Sequence, residues 1–174
     1  EENRRRYEES LRSFDRFRQG FGLVESLRDL GELPALLEAV RGLFKVSAIR
    51  LVLDEEEFGH HLPRGFPVLP GEALARTALA VRSGGGRCYV GPSHGAPEET
   101  LTRSERKRWG SCFLYPVEDR FREGRWAGLL LVADTSPHRY LPDMATDYME
   151  HFFDALVAAV AHLADRRKTE ELRE

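Results

Sequence analysis

Residues Trp126 to Ala133 are apolar at every position except Gly128. A strand of that kind has no wet face, so it must run inside a sheet covered on both sides. Ser111 to Val117 precedes it across a polar turn, Asp119 to Gly124, and the spacing predicts an antiparallel hairpin of Ser111–Val117 with Arg125–Asp134. The rest of the 174-residue chain must then supply two covering layers around one core. A chain of that length holds one domain with room for appended helices.

Helical stripes are the obvious covers. Tyr7, Leu11, Phe14, Phe17, Phe21, Val24 and Leu27 recur every three or four residues, which places them along one side of a helix among charged neighbours. Gly20 and Gly22 predict a break or bend there, since each costs roughly 1 kcal/mol of helix propensity. Asp29-Leu30-Gly31 reads as a stop. A second helix is expected over Leu33 to Phe44, with Pro34 in its first turn.

Ser47 to Asp54 alternates as a strand. Ile49, Leu51 and Leu53 share one face, and Ala48, Arg50, Val52 and Asp54 the other. The acidic run Asp54 to Glu57 ends it. Phe58 to Pro70, with three prolines and two glycines, reads as a loop with at most one short strand. A helix over Glu72 to Arg82, a turn at Ser83 to Gly86 and a short strand over Arg87 to Val90 follow. Thr102 and Glu105 form a capping box that starts a short charged helix. A last helix is expected from about Pro142 to Arg167, with Met149, Phe152, Phe153, Leu156, Val160 and Leu163 along one broad stripe.

Together these elements predict an α+β fold, an antiparallel sheet with helices on both faces and long amphipathic helices at each end. The expected division is an N-terminal helix over 1–30, a domain over 31–168 and a polar tail over 169–174.

Charge and cysteine content exclude several functions. Acids outnumber lysine and arginine by 29 to 26, a net charge of −3 that offers no bulk attraction to nucleic acid or to an anionic membrane. No apolar run approaches the roughly 20 residues that span a bilayer, and the opening Glu1-Glu2-Asn3-Arg4-Arg5-Arg6 is no signal peptide. Cys88 and Cys112, with no close pairing, suit a reducing compartment, so the expected location is cytoplasmic.

Two stretches resemble a known family. Phe113-Leu114-Tyr115-Pro116-Val117, a polar turn, and Gly128-Leu129-Leu130-Leu131-Val132-Ala133 resemble the final hairpin of a GAF domain. Tyr140-Leu141-Pro142-Asp143-Met144-Ala145-Thr146-Asp147-Tyr148 is similar to a signature before the last helix of a bacterial GAF-like family of unknown function. Ala145 stands where that family usually has glycine. The resemblance implies a small-molecule pocket on one sheet face and dimerisation through terminal helices.

The candidate sites follow. Residues Tyr7, Leu11, Phe14, Phe17, Phe21 and Val24 precede an otherwise complete domain. Their stripe is expected to meet a second copy, making a homodimer. A pocket is expected on the sheet face away from the terminal helices, roofed by the Phe58–Pro70 loop and the Glu72–Arg82 helix. Arg50, Tyr89 and Tyr115 are its expected polar handles. Arg50 has a second reading, an arginine reaching along its stem to the sheet edge or pairing with Asp54. Phe66, Tyr89, Phe113 and Tyr115 have one too, filling the pocket and leaving a pure dimerisation module. Cys88 and Cys112 are read as buried hydrophobes, with a thiol-dependent reductase as the alternative.

No cofactor and no metal are expected, because His94 with Cys88 and Cys112 matches no ligand spacing. Arg103, Arg106, Lys107 and Arg108 beside Trp109 are read as a solvated charged turn. Asp143 and Asp147 are read as helix-start charges, with Met144 tucked beneath the sheet edge. The functional expectation is a non-enzymatic sensory or regulatory domain.

Overall fold

The computed structural model describes residues 1–140, 142 and 146–173, with the backbone alone at Arg6, Glu9 and Ser10. In chain order come α1 (Glu2–Glu25), a 3₁₀ turn (Leu30–Glu32), α2 (Leu33–Phe44), β1 (Ala48–Asp54), α3 (Glu55–Phe58), β2 (Val68–Leu69) and α4 (Gly71–Arg82). They are followed by β3 (Tyr89–Pro92), a second 3₁₀ turn (Ser93–Gly95), α5 (Arg103–Arg108), β4 (Ser111–Glu118), β5 (Trp126–Asp134) and α6 (Asp147–Arg173).

The five strands form one mixed sheet in the order β2-β1-β5-β4-β3. β5 is central, between β1 and β4, and antiparallel to both. This is the place its unbroken apolar run requires. β2 pairs in parallel with the end of β1, so the sheet is antiparallel everywhere but at that edge. Gly128 of β5 sits where an added Cβ would lie 2.6 Å from the Val52 carbonyl oxygen, so the strand pair closes only around glycine.

The inner face carries Ile49, Leu51, Leu53, Phe113, Tyr115, Val117, Leu130 and Val132 and is covered by α1, α2 and α6. Phe152 of α6 is fully buried at the centre of that layer. Its ring lies 5.3 Å from Phe44, 5.4 Å from Phe21 and 4.9 Å from Phe153. The outer face carries Cys112, Leu114, Leu129, Leu131 and Ala133, with Leu74 and Val81 of α4 and the buried Leu101 and Trp109 packed over it.

Several sequence expectations are corrected. α1 runs unbroken through Gly20 and Gly22. An added Cβ at Gly20 would lie 2.8 Å from the Phe152 ring, so the glycine serves close approach of α1 to α6. Packing here outweighs helix propensity. The stop at Asp29 is a capped turn: its carboxylate accepts from the Gly31 N–H, and Glu32 closes a capping box. The acidic run after β1 is itself a turn of helix, α3. β3 begins at Tyr89, two residues later than expected, and reaches Pro92.

α6 starts at Asp147, five residues after Pro142, and continues to Arg173, so residues 169–173 extend the helix where a separate tail was expected. Asp147 is exposed in its first turn. Leu141, Asp143, Met144 and Ala145, which carry most of the signature string, lie outside the described residues. Among the described residues, no helix is long and apolar enough to cross a membrane.

Candidate functional site

β1 is amphipathic in a way that sets the site. Its odd-numbered leucines and isoleucine enter the inner core, which turns Arg50 and Val52 to the outer face. There Arg50 and Val52, with Leu114, Leu129 and Leu131 of the neighbouring strands, floor a hollow of about 250 Å³. Pro67, Val68 and Leu69 wall it on the β2 side, Thr77 of α4 closes another side, and Glu99 and Thr100 stand at the α5 end. Of the loop and helix expected as its roof, Pro67 and Thr77 line it, while β2 and the Glu99–Thr100 segment make up the rest of the rim.

Arg50 is the hollow's cation, and it is already engaged. Nη1 donates to Glu105 Oε2 at 2.6 Å and Nη2 to the Thr100 carbonyl oxygen at 3.2 Å. The expected pairing of Arg50 with Asp54 is not formed. Glu105 divides its two oxygens between two tasks: Oε1 accepts the Thr102 N–H at 2.8 Å, completing the cap of α5, while Oε2 serves Arg50. Burial would raise the Glu105 carboxyl; the Thr102 backbone N–H and Arg50 outweigh it and hold the group below the usual range.

The two tyrosines do not join Arg50. Tyr115 points into the inner layer, where its hydroxyl donates to Asp154 Oδ1 of α6 at 2.8 Å. Burial, then the Asp154 carboxylate, push its phenol well above the ordinary value. Tyr89 is on the outer side but donates to the Pro92 carbonyl oxygen at 2.6 Å and packs against Gly91 and Gly95. Phe113 is inner core, and Phe66 lines a second hollow of about 380 Å³ at the open edge of β1, beside Pro34 and Leu37. None of the four aromatics read as fillers lines the outer hollow.

The cysteines part across the sheet. Cys88 packs with the inner cluster and Cys112 with the outer, and both are free. Burial raises both thiols, Cys112 to about 11, so at neutral pH both stand as the weakly nucleophilic thiol. Among the described residues, no group of three or more His, Cys, Asp and Glu is arranged to hold a metal ion.

The basic turn is partly a clasp. Arg106 donates to the carbonyl oxygens of Ser93, Ala96 and Pro97 at 3.0, 2.8 and 2.7 Å, which ties down the loop before α5. Arg108 lies over Trp109 at 5.2 Å. A charge cluster that the sequence reading missed joins the β4–β5 turn to α3. Arg122 bonds Asp54 Oδ2 at 2.9 Å and Asp119 Oδ2 at 2.8 Å and pairs with Glu57. Burial first, then the nearby Asp119 carboxylate, push Glu57 up to about 7. Burial would raise Asp119 as well, but hydrogen bonds from Glu57 and Arg122 hold it down at about 2.

The stripe assigned to a partner copy splits in two. Val24 is buried within the chain, 6 % exposed, and Phe17 and Phe21 pack on the aromatic layer of α6, Phe17 stacking on Tyr148 at 5.7 Å. These three residues therefore serve this chain's own core first. Tyr7, Leu11 and Phe14 remain 66 %, 51 % and 59 % exposed, and every described side chain from 1 to 14 faces solvent.

No known family model matches this chain, and no curated protein matches it either.

Proposed function

We propose that this chain is a GAF-like, non-enzymatic sensory or regulatory domain that holds a small molecule in the outer hollow and works as a homodimer through the first turns of α1. The hollow beside Arg50 carries this reading. An apolar cavity with one convergent polar group is the usual form of a small-molecule site. At about 250 Å³ it has room for a compact ligand, some eight water volumes at roughly 30 Å³ each. One half-buried and one buried thiol, both raised and on opposite sheet faces, give a thiol enzyme no comparable support.

For the pairing, the support is the exposed apolar stretch Tyr7, Leu11 and Phe14, continued at the domain by the exposed Tyr148. Three large apolar side chains on one helical stripe, free of this chain's core, suit a second helix of the same kind. The cytoplasm is the expected setting, since both thiols stay free without a staple to form.

Methyl NMR on the whole chain, titrated with a set of small fragments, tests the ligand reading. Shifts confined to Leu114, Leu129 and Leu131, with the inner-face Leu51 and Leu130 unmoved, are the expected result. A set that moves none of the outer leucines overturns it.

A further inference from the structure

We propose that the outer hollow selects a compact, apolar-bodied carboxylate, whose carboxylate takes Arg50 from Glu105. The inference rests on the reading of that hollow as a ligand site and names the chemistry that would recognise the ligand.

The walls set the body of the ligand. Val52, Leu114, Leu129 and Leu131 present only hydrocarbon, and Thr77 has already committed its hydroxyl hydrogen to the Ala73 carbonyl oxygen at 2.9 Å. A polar or sugar-like body would leave its own groups unpaired there, at a cost of roughly 1–3 kcal/mol for each. The body must therefore be aliphatic or aromatic.

Arg50 sets the head. It is the one basic residue among those lining the hollow, and its present partner is a carboxylate on another element, 55 residues away in the chain. Glu105 thus acts as an internal stand-in, showing the geometry in which this guanidinium takes a carboxylate. A planar guanidinium binds such a group through paired N–H donors, and among the described residues no hydrogen bond engages Nε of Arg50. A dianionic phosphate fits less well, because Glu99 lies in the lining and one arginine is the only cation there.

Exchange of one carboxylate for another keeps the half-buried Arg50 paired throughout, while the buried Glu105 carboxylate, left with the Thr102 N–H alone, must take up a proton or turn its free oxygen to water. It also leaves the cap of α5 whole. Oε1 of Glu105 stays on the Thr102 N–H while Oε2 alone is released. The ligand therefore uncouples α5 from β1 without unwinding it. That gives the site an output: α5 is tied to β1 through Arg50 when the hollow is empty and loses that one tie when it is filled, while Arg106 and the buried Trp109 keep it on the sheet.

Benzoate and its neutral isostere benzamide are the probes, titrated into the full chain with the outer-leucine methyl signals as readout. Benzoate is expected to bind at least tenfold tighter than benzamide. Arg50→Gln should erase that preference, and its melting temperature and near-UV dichroism show whether it has folded. Glu105→Gln keeps an oxygen for the Thr102 N–H but removes the competing charge, so it should tighten benzoate severalfold, a gain that misfolding cannot imitate. Equal binding of benzamide and benzoate overturns the carboxylate class while leaving the ligand site standing. Failure of both probes to move the outer leucines, in a protein whose inner leucines report a folded core, overturns the class and the site together. Weaker benzoate binding by Glu105→Gln overturns the exchange.

Discussion

Three helices cover the inner face of the sheet, and one full helix, one short helix and loops cover the outer. On the inner side the rings of Phe17, Phe21, Phe44, Phe152 and Phe153 lie in direct contact. The crevice beside Val157 and Ala161 has a volume of only about 30 Å³, one water's worth. On the outer side α4 reaches β4 and β5, but the β1 edge is left to a proline-rich loop and the hollow opens beneath it. Over its central strands one sheet thus carries a face packed for stability and a face with space left in it, the inner side opening only at the free edge of β1, where the hollow of about 380 Å³ lies beside α2. The first should resist any change of volume; the second should accept one.

Phe152→Ala is the largest test of the packed face. The side chain is fully buried and touches four other rings, so its loss should cost about 3–5 kcal/mol in chemical denaturation. A loss below about 1 kcal/mol would mean that α1 and α6 are not held together as described. Enlargement separates the faces more finely. Val160→Phe on the inner side should cost about 1–3 kcal/mol by overpacking. Leu129→Phe on the outer side should cost less, because the added ring can turn into the hollow, and it should also block benzoate. Equal losses would remove the distinction between the faces.

The division was partly legible in the sequence. The unbroken apolar run of β5 forced a central strand, and the alternation in β1 separated Arg50 from Ile49, Leu51 and Leu53. In β4 the same alternation put Phe113 and Tyr115 on one face and Cys112 and Leu114 on the other. It could not say which layer each would meet, because both faces of that strand are apolar, and Tyr115 was assigned to the wrong one. The partner of Arg50 lay 55 residues away, beyond any local pattern. Gly20 misled for a related reason: helix propensity reads it as a break, and only the Phe152 ring explains it.

Smaller effects probe the polar joints of the two faces. Tyr115→Phe removes the hydrogen bond to Asp154 and should cost about 1–2 kcal/mol. The Glu57 cluster gives a dependence on pH. Its carboxyl titrates near 7 when folded and near 4.5 when unfolded, so between those values the native state holds more protons than the unfolded chain. Its contribution to stability is therefore present below about 4.5 and lost as pH rises through about 7. Asp119 runs the other way, contributing above its unfolded value near 3.8 and losing that contribution as pH falls through about 2. Melting temperature should decline from pH 5 to pH 8 in the unaltered chain, and Glu57→Gln should flatten that decline. An unchanged slope in the variant would remove Glu57 as its source.

The smallest effect on stability belongs to the first turns of α1, which lie on neither face. Leu11→Ser alters a side chain 51 % exposed and far from the aromatic layer, so the melting transition at low concentration should move by no more than about 0.5 kcal/mol. Its effect on association should be large. Light scattering of the unaltered chain at micromolar concentration should give about twice the 19.9 kDa of one chain, and Leu11→Ser should return it to a single copy. Phe17 and Phe21 cannot serve this test, since their loss would loosen α1 from α6 in the same chain. A monomer in both proteins would mean that Tyr7, Leu11 and Phe14 do not hold a second copy together. On the proposed reading the domain would then respond to a ligand as a single copy, with any output passing through the Arg50–Glu105 tie to α5 on the outer face.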